Sequence, residues 1–152
     1  MKRKVCVVIT ARPSYARIKT AMAAIRDHED LELQLVVAAS ALLDRYGNAV
    51  KVIEAEGFKV DRTVYMIVEG ESLVTSAKST GFGLAELSTV FNDLKPDMVV
   101  TIADRYETIA TSIAAAYMNI PLVHIQGGEV TGSIDEKTRH ANTKLADLHL
   151  VS

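Results

Sequence analysis

The sequence has 152 residues, of which 49% are hydrophobic and 24% are charged, so it suits one globular domain and leaves little room for two. The net charge of -2 argues against nucleic acid as a partner, and no stretch reaches the roughly 18 apolar residues that a membrane span needs. One cysteine, Cys6, excludes an internal disulfide, and the first strand begins too early for a signal peptide, so we expect a cytoplasmic protein.

Apolar runs typical of buried strands alternate along the chain with segments of helical periodicity. The predicted strands lie within residues 4–10, 33–39, 58–67, 98–102, 121–125 and 148–151. The predicted helices are one capped by Ser14 and those at residues 49–56, 72–94, 106–118 and 134–146. Gly81 and Gly83 favour a break near the middle of the long third helix.

This alternation predicts an α/β fold, a doubly wound parallel sheet with helices on both faces. Ligands of such sheets bind beyond the carboxyl ends of the strands, which points to the loops after the first, fourth and fifth strands. The chain stops within its sixth apolar strand, at residues 148–151. We therefore expect the first half of a longer protein, with a natural terminus as the alternative.

The first loop leads into a helix amino terminus, which is a natural site for an anion. Arg12 stands at this helix start and Arg17 lies about one turn further on. Because one guanidinium group can bind two phosphate oxygens at once, these arginines suit a phosphate or diphosphate. The alternative is that both are ordinary surface charges. No G-x-G-x-x-G or P-loop pattern is present, which removes the main support for dinucleotide binding or P-loop hydrolysis.

The other two loops supply candidate acids and bases. Asp104 follows the fourth strand, where it either reacts or caps the next helix. After the fifth strand come two glycines, which allow close backbone approach, and then Glu129 and Asp135. His124 alternates with apolar neighbours, so a buried core histidine is as good an interpretation as a catalytic one. The histidines and Cys6 lack zinc-ligand spacing, so we expect no metal site.

At these loops the sequence resembles the UDP-N-acetylglucosamine 2-epimerase family. The resemblance rests on residues 9–15, 46–48, 94–97, 103–107, 124–129, 134–135, 139–140 and 143–146, and it runs nearly end to end. The Asp104-Arg105 pair and the Gly127-Gly128-Glu129 run are similar to the hydrolysing branch, which makes N-acetylmannosamine and UDP for sialic-acid-type sugars.

The resemblance implies two Rossmann-like domains facing each other across a cleft, the GT-B arrangement, with this chain as the N-terminal domain and the second domain absent. It implies a nucleotide-sugar partner, no cofactor, and elimination of UDP followed by hydration. A homo-oligomer is compatible with it but has no direct support in the sequence. The implied catalytic positions are Asp104, Asp135 and Gln126, and the implied substrate-binding positions are Arg12, Arg17, Arg105, Glu129, His140 and Lys144.

Two positions depart from the family pattern. Gln126 stands where many members have a catalytic glutamate, and Ala103 stands where glycine is usual. A glutamine amide does not exchange protons at ordinary pH, so the acid–base work falls to Asp135, Glu129 or Asp104, or the substrate differs, or the activity is lost. The rival functions are a non-hydrolysing 2-epimerase, a GT-B glycosyltransferase and a nucleotide-sugar-binding regulatory module.

Overall fold

Six strands and five helices alternate along residues 1–151, the part of the chain that the computed structural model describes. The strands are β1 (Arg3–Ile9), β2 (Leu31–Ala38), β3 (Arg62–Val64), β4 (Met98–Ile102), β5 (Leu122–Ile125) and β6 (Leu148–Leu150). The helices are α1 (Arg12–Asp27), α2 (Ala49–Ala55), α3 (Leu73–Leu94), α4 (Thr108–Tyr117) and α5 (Ile134–Leu145). Two short 3-10 turns, Ala39–Leu42 and Asp44–Tyr46, lie between β2 and α2.

The strands form one parallel sheet in the order β3-β2-β1-β4-β5-β6. This confirms the predicted doubly wound, Rossmann-like α/β fold. The strand order reverses direction between β1 and β4, which is the point at which such sheets bind ligands. The loops after β1, β4 and β5 therefore meet at one edge of the sheet, as predicted for Arg12, Asp104 and Gln126.

Strand β1 shows how the sheet separates two apolar layers. Val5, Val7 and Ile9 point to the layer that contains α1 and α2, whereas Cys6 and Val8 point to the layer that contains α3 and α4. Successive side chains of a strand alternate between faces, and all five of these residues are buried because helices lie on both sides. Burial raises the pKa of the Cys6 thiol to about 12, which favours an unreactive, protonated thiol.

The α1 side of β5 and β6 is less well covered. Val123 is buried beneath the edge of the α1 layer, but Leu148 is 50% exposed and Leu150 is 48% exposed. These side chains border an open apolar groove that also reaches Ile18 and Ile25 of α1. Parallel strands are usually covered on both faces, so within residues 1–151 this part of the sheet lacks its second layer. No helix in the same range has the length and apolarity needed to cross a bilayer.

Three local predictions were wrong. Helix α1 begins at Arg12 with Ala11 as its N-cap, so the buried Ser14 lies inside the first turn and does not cap it. Helix α3 has no break, because its glycines keep helical geometry throughout Leu73–Leu94. Helix α4 begins at Thr108 rather than at residue 106. The third strand, by contrast, lies within the predicted residues 58–67, at Arg62–Val64.

The glycine at position 83 has a packing role. A Cβ atom there would lie 2.8 Å from the sulfur of Met66 and 3.3 Å from the Cβ of Ala110. At Gly81 the same addition would meet nothing within 4 Å. The close contact of α3 with α4 and with the chain after β3 therefore requires glycine at position 83 but not at position 81.

We predict opposite effects of alanine at these two positions. Gly83→Ala should lower the free energy of unfolding by about 1–3 kcal/mol, because the added methyl group pushes both Met66 and Ala110 away from α3. Gly81→Ala should raise it by up to about 1 kcal/mol, because alanine is the better helix former. Urea unfolding followed by circular dichroism measures both, and equal effects of the two substitutions would contradict the assigned packing.

Candidate active site

Two arginines at the start of α1 connect three loops. Arg17 donates from Nη1 to the Oε1 of Gln126, at 2.8 Å, which links α1 to the end of β5. Arg12 lies against Gly47, where a Cβ atom would be 2.8 Å from the Arg12 Nη1. Gly47 also has a φ of +85°, so this turn needs glycine for both its backbone and its contact. The two guanidinium groups therefore lie beside the carboxyl ends of β1 and β5.

The chain leaves β4 and β5 through residues with left-handed backbone conformations. Ala103 has a φ of +67° and Gln126 a φ of +65°, and neither is glycine. An L-residue in this region costs roughly 1–2 kcal/mol, which explains why glycine suits position 103. Backbone strain of this kind is concentrated at functional sites. Both strands thus end in a strained turn that places Asp104 and Gln126 at the same edge.

His124 is a buried histidine whose two ring nitrogens are both occupied. Its Nε2 lies 3.0 Å from the carbonyl oxygen of Ala103, and its Nδ1 lies 3.0 Å from the hydroxyl of Thr143. Because a carbonyl only accepts, Nε2 carries the proton and the threonine donates to Nδ1. Burial lowers the pKa of His124. Of the two interpretations, the core histidine is correct, and it holds the strained peptide before Asp104.

Arg139 of α5 joins the loops that follow β4 and β5. Its side chain is 1% exposed, and it donates from Nη2 to the Oδ2 of Asp104 and from Nη1 to the backbone carbonyl of Glu129. A further contact, at 3.4 Å, reaches the hydroxyl of Thr131. A buried guanidinium is costly unless it is paired, and these acceptors satisfy it. The pair fixes one oxygen of Asp104 and leaves the carboxylate partly exposed.

Helix α5 also closes the loop that precedes it. The Glu136 carboxylate accepts the backbone N–H groups of Gly132 and Thr131, and these bonds lower its pKa. Asp135 lies in the same first turn and is partly buried. The His140 Nε2 lies 3.5 Å from the Glu136 Oε1, so the imidazole of His140 is directed towards the first turn of α5.

Arg105 turns towards the start of α4. Its Nε donates to the Oε1 of Glu107 at 2.9 Å, and Glu107 is fully buried. Burial raises the pKa of Glu107, and the Arg105 charge partly opposes this. Asp135 is near enough to influence the pKa of both groups. The region thus places a carboxylate of α5 beside a cation that follows β4.

The structure brings most of the predicted site residues to one edge, with Lys144 as the exception. That residue lies in the last turn of α5, nine positions after Asp135, or about 14 Å along the helix axis. Its role in the cleft remains a prediction. Glu129 lies on the loop after β5, where Arg139 binds its backbone carbonyl.

Two residues of this region were not on the predicted list. Arg139 had a detectable signal, because it lies four positions after Asp135 and therefore on the same face of a predicted helix. Glu107 had none beyond its place beside Arg105. Among residues 1–151 no three histidine, cysteine or acidic side chains are grouped so as to hold a metal ion. The groups that meet here are carboxylates, arginines and one amide, which suit proton transfer beside a bound anion.

Comparison with known proteins identifies the family. The UDP-N-acetylglucosamine 2-epimerase family model matches residues 23–152. This chain belongs to that family. It is 36% identical to a GDP/UDP-N,N'-diacetylbacillosamine 2-epimerase (hydrolyzing) of Campylobacter jejuni, covering 99% of this chain and 39% of that protein. It is 34% identical to a UDP-N,N'-diacetylbacillosamine 2-epimerase (hydrolyzing) of Legionella pneumophila, covering 100% of this chain and 40% of that protein.

The fold of this epimerase-family chain agrees with solved structures. A crystal structure of a UDP-N-acetylglucosamine 2-epimerase superimposes with a TM-score of 0.85 at 27% identity, covering 99% of this chain and 42% of that one. The chain therefore spans about two-fifths of the length of the relatives it matches.

We predict that His124 makes stability depend on pH. Because its pKa is lowered by folding, the folded chain binds fewer protons than the unfolded chain below about pH 6.5, so stability falls as the pH falls through that value. His124→Gln keeps a donor for the Ala103 carbonyl but does not titrate. Urea unfolding from about pH 7.5 to about pH 5 should show a smaller decline in the variant. Parallel pH profiles would contradict this assignment.

Loss of Arg139 should be much more damaging than loss of a surface arginine. Arg139→Met leaves Asp104 and the Glu129 carbonyl without their donor. The free energy of unfolding should therefore fall by about 2–4 kcal/mol, a value that already allows for the partial exposure of Asp104. Arg62→Met is the matched control, because Arg62 is exposed and donates to the adjacent Asp61 carbonyl. Hydrogen exchange should also quicken at residues 126–133 in the first variant alone. Similar unfolding curves for both variants would argue against a buried pair.

Proposed function

We propose that this chain is the N-terminal domain of a hydrolysing nucleotide-sugar 2-epimerase. The substrate is UDP-N-acetylglucosamine or a UDP-linked 2-acetamido relative, and the products from the former are N-acetylmannosamine and UDP, a supply for sialic-acid-type sugars. Family membership supports the epimerase. The hydrolysing branch is supported by two relatives whose names include that activity and whose sugar is N,N'-diacetylbacillosamine.

The observation on which the proposal rests is the meeting of Asp104, Asp135 and Gln126 at one sheet edge beside arginines. Asp104 is held by Arg139, and Gln126 accepts from Arg17. Carboxylates next to guanidinium groups are what the elimination of a diphosphate requires, because a proton leaves carbon while negative charge develops on the departing phosphate.

The proposed reaction has two steps. A carboxylate removes the proton at C2, the C1–O bond to the diphosphate breaks, and the electron pair of the C–H bond forms the C1–C2 double bond of a glycal. Water then adds its hydroxyl at C1. C2 receives a proton on the face opposite to the one from which the first proton left, and this inverts the configuration at C2. Asp135 is our first choice for the base and Glu129 our second, and Asp104, whose carboxylate pairs with Arg139, is the third candidate. Arg12, Arg17 and Arg105 stabilise the departing diphosphate.

Gln126 suits a binding role in this scheme. Its Oε1 already accepts from Arg17, so its amide N–H groups remain to donate to a substrate oxygen. A glutamate at this position would form a salt bridge with Arg17 and neutralise its charge. The neutral amide orients the same guanidinium and leaves its full charge for a phosphate. We therefore infer an adapted site rather than a lost activity.

A second domain is part of the proposal. The matched relatives are about two and a half times as long as this chain. The thin cover over the α1 side of β5 and β6 also fits a unit that packs against further protein. In an open half-site the phosphate stays in water, where each ionic contact is weak. We therefore expect the 152-residue chain by itself to lack turnover.

The rival functions differ in their products. A non-hydrolysing 2-epimerase would give an epimeric nucleotide sugar without free UDP, and a GT-B glycosyltransferase would need an acceptor. A regulatory module would bind the nucleotide sugar without changing it. Separation of free UDP, free sugar and nucleotide sugar after incubation of the whole protein with the nucleotide sugar distinguishes the two epimerases from each other and from the other two functions. An unchanged nucleotide sugar would contradict our proposal.

Substitutions in the whole enzyme test the assigned roles. Asp135→Asn should lower kcat by about 10²–10⁴-fold, because the general base is removed. Gln126→Ala should weaken substrate binding by roughly 2- to 13-fold through loss of a neutral hydrogen bond, with kcat largely kept. Steady-state kinetics of UDP release measures both.

The converse substitution is Gln126→Glu. It should slow an active enzyme, because the new carboxylate neutralises Arg17. A silent wild type that gains turnover from Gln126→Glu would show instead that the glutamine marks a lost activity.

A further inference from the structure

Glu107 is a buried carboxyl group that the proposed reaction does not use. It is the N-cap residue of α4 and has 0% exposure, yet its side chain makes no capping hydrogen bond. Its Oε1 accepts from the Nε of Arg105, whereas its Oε2 is buried and has no hydrogen-bond partner. An incompletely bonded buried carboxyl group is costly, so its presence calls for a role other than capping.

The contact with Glu107 restricts how Arg105 can lie. The guanidinium is a planar group with five N–H donors in fixed directions, so holding the Nε edge sets the direction of both Nη atoms. Neither Nη atom has an acceptor within residues 1–151, and the side chain is 44% exposed. Arg105 is therefore fixed at its inner edge, and its outer edge remains available.

The outer part of Arg105 lines a crevice of about 220 Å³ at the carboxyl edge of the sheet. The other walls of this crevice include Ser40, Tyr46, Ser76 and Tyr106, together with Arg45 and Glu71, whose charges lie 3.9 Å apart and offset each other. Arg12 lies against Gly47, the residue after Tyr46. Two guanidinium groups are therefore associated with this turn, and guanidinium groups bind phosphate oxygens well.

We propose that Glu107 is a positioning residue, which holds Arg105 by its Nε so that the two Nη atoms face a phosphate oxygen of the bound nucleotide. The inference rests on the proposed function only for the class of ligand, a phosphate-bearing nucleotide. The carboxyl group itself does not touch the ligand. Both a protonated and an ionised Glu107 leave an acceptor oxygen for the Arg105 Nε, and the ionised form holds it more strongly.

A double-mutant cycle on UDP binding tests the proposal with the whole protein. Glu107→Leu removes the acceptor and fills the buried space, so UDP should bind about tenfold more weakly, as expected for a disordered charged donor. Arg105→Leu should cause a similar loss, and the double variant should bind no more weakly than Arg105→Leu. Glu107→Gln keeps an acceptor oxygen and should bind within about twofold of wild type. Isothermal titration or NMR titration measures these affinities.

The matched control is Asp27→Asn, because Asp27 accepts from the Nε of Arg26 at 2.8 Å in an exposed pair at the far end of α1. Its UDP affinity should equal that of wild type. Additive losses in the cycle, or wild-type affinity of a folded Glu107→Leu variant, would overturn the proposal. Failure of UDP to bind would also overturn it.

If Glu107→Leu does not fold, the side-chain Nε–H signal of Arg105 decides the question. It should exchange slowly with water in wild type and Glu107→Gln and shift when UDP is added, and a signal that does not shift contradicts the proposal. UDP binding is measured without turnover. A protein that binds UDP through this pair but releases no sugar would contradict the proposed reaction and leave this inference standing.

Discussion

The buried ion pair of Arg139 with Asp104 is the contact on which the geometry of this edge depends. It spans 35 residues of sequence and connects α5 to the loop after β4, and the same guanidinium holds the loop after β5 through the Glu129 carbonyl. A paired buried arginine is hard to displace, because breaking the pair leaves an unsolvated charge. Two loops that would otherwise move separately are therefore fixed relative to each other.

The surrounding contacts keep the strained turns in place. His124 holds the Ala103 peptide in its left-handed conformation, and Thr143 of α5 fixes the tautomer of that histidine. Gly127 allows this arrangement, since a Cβ atom there would lie 2.8 Å from the Thr143 hydroxyl. Helix α5 thus supports the ends of both β4 and β5, so the strain is stored in a rigid frame rather than in a free loop.

Arginines at this edge are each bound by a different kind of acceptor, and the acceptor decides how much charge remains for a ligand. Arg139 is paired with a carboxylate and is buried, which suits a structural role. Arg17 is bound by a neutral amide and keeps its full charge. Arg105 is held at one edge by Glu107, a group whose pKa is raised by burial. These different acceptors distinguish Arg139, which holds the site together, from Arg17 and Arg105, whose charge remains available to a phosphate.

The sequence by itself determined the parallel α/β fold and the edge at which Arg12, Asp104 and Gln126 meet. The fold follows from the apolar periodicity of each segment. The shared edge follows from the rule that the carboxyl ends of parallel strands lie on the same side of a sheet.

Only the tertiary structure decided that Arg139 pairs with Asp104, that Gly83 is needed for packing, and that His124 is a support. These contacts join residues far apart in sequence, and they depend on strand order and on the distance between helices. Neither quantity is encoded in the period of a single segment, so no local pattern could reveal them.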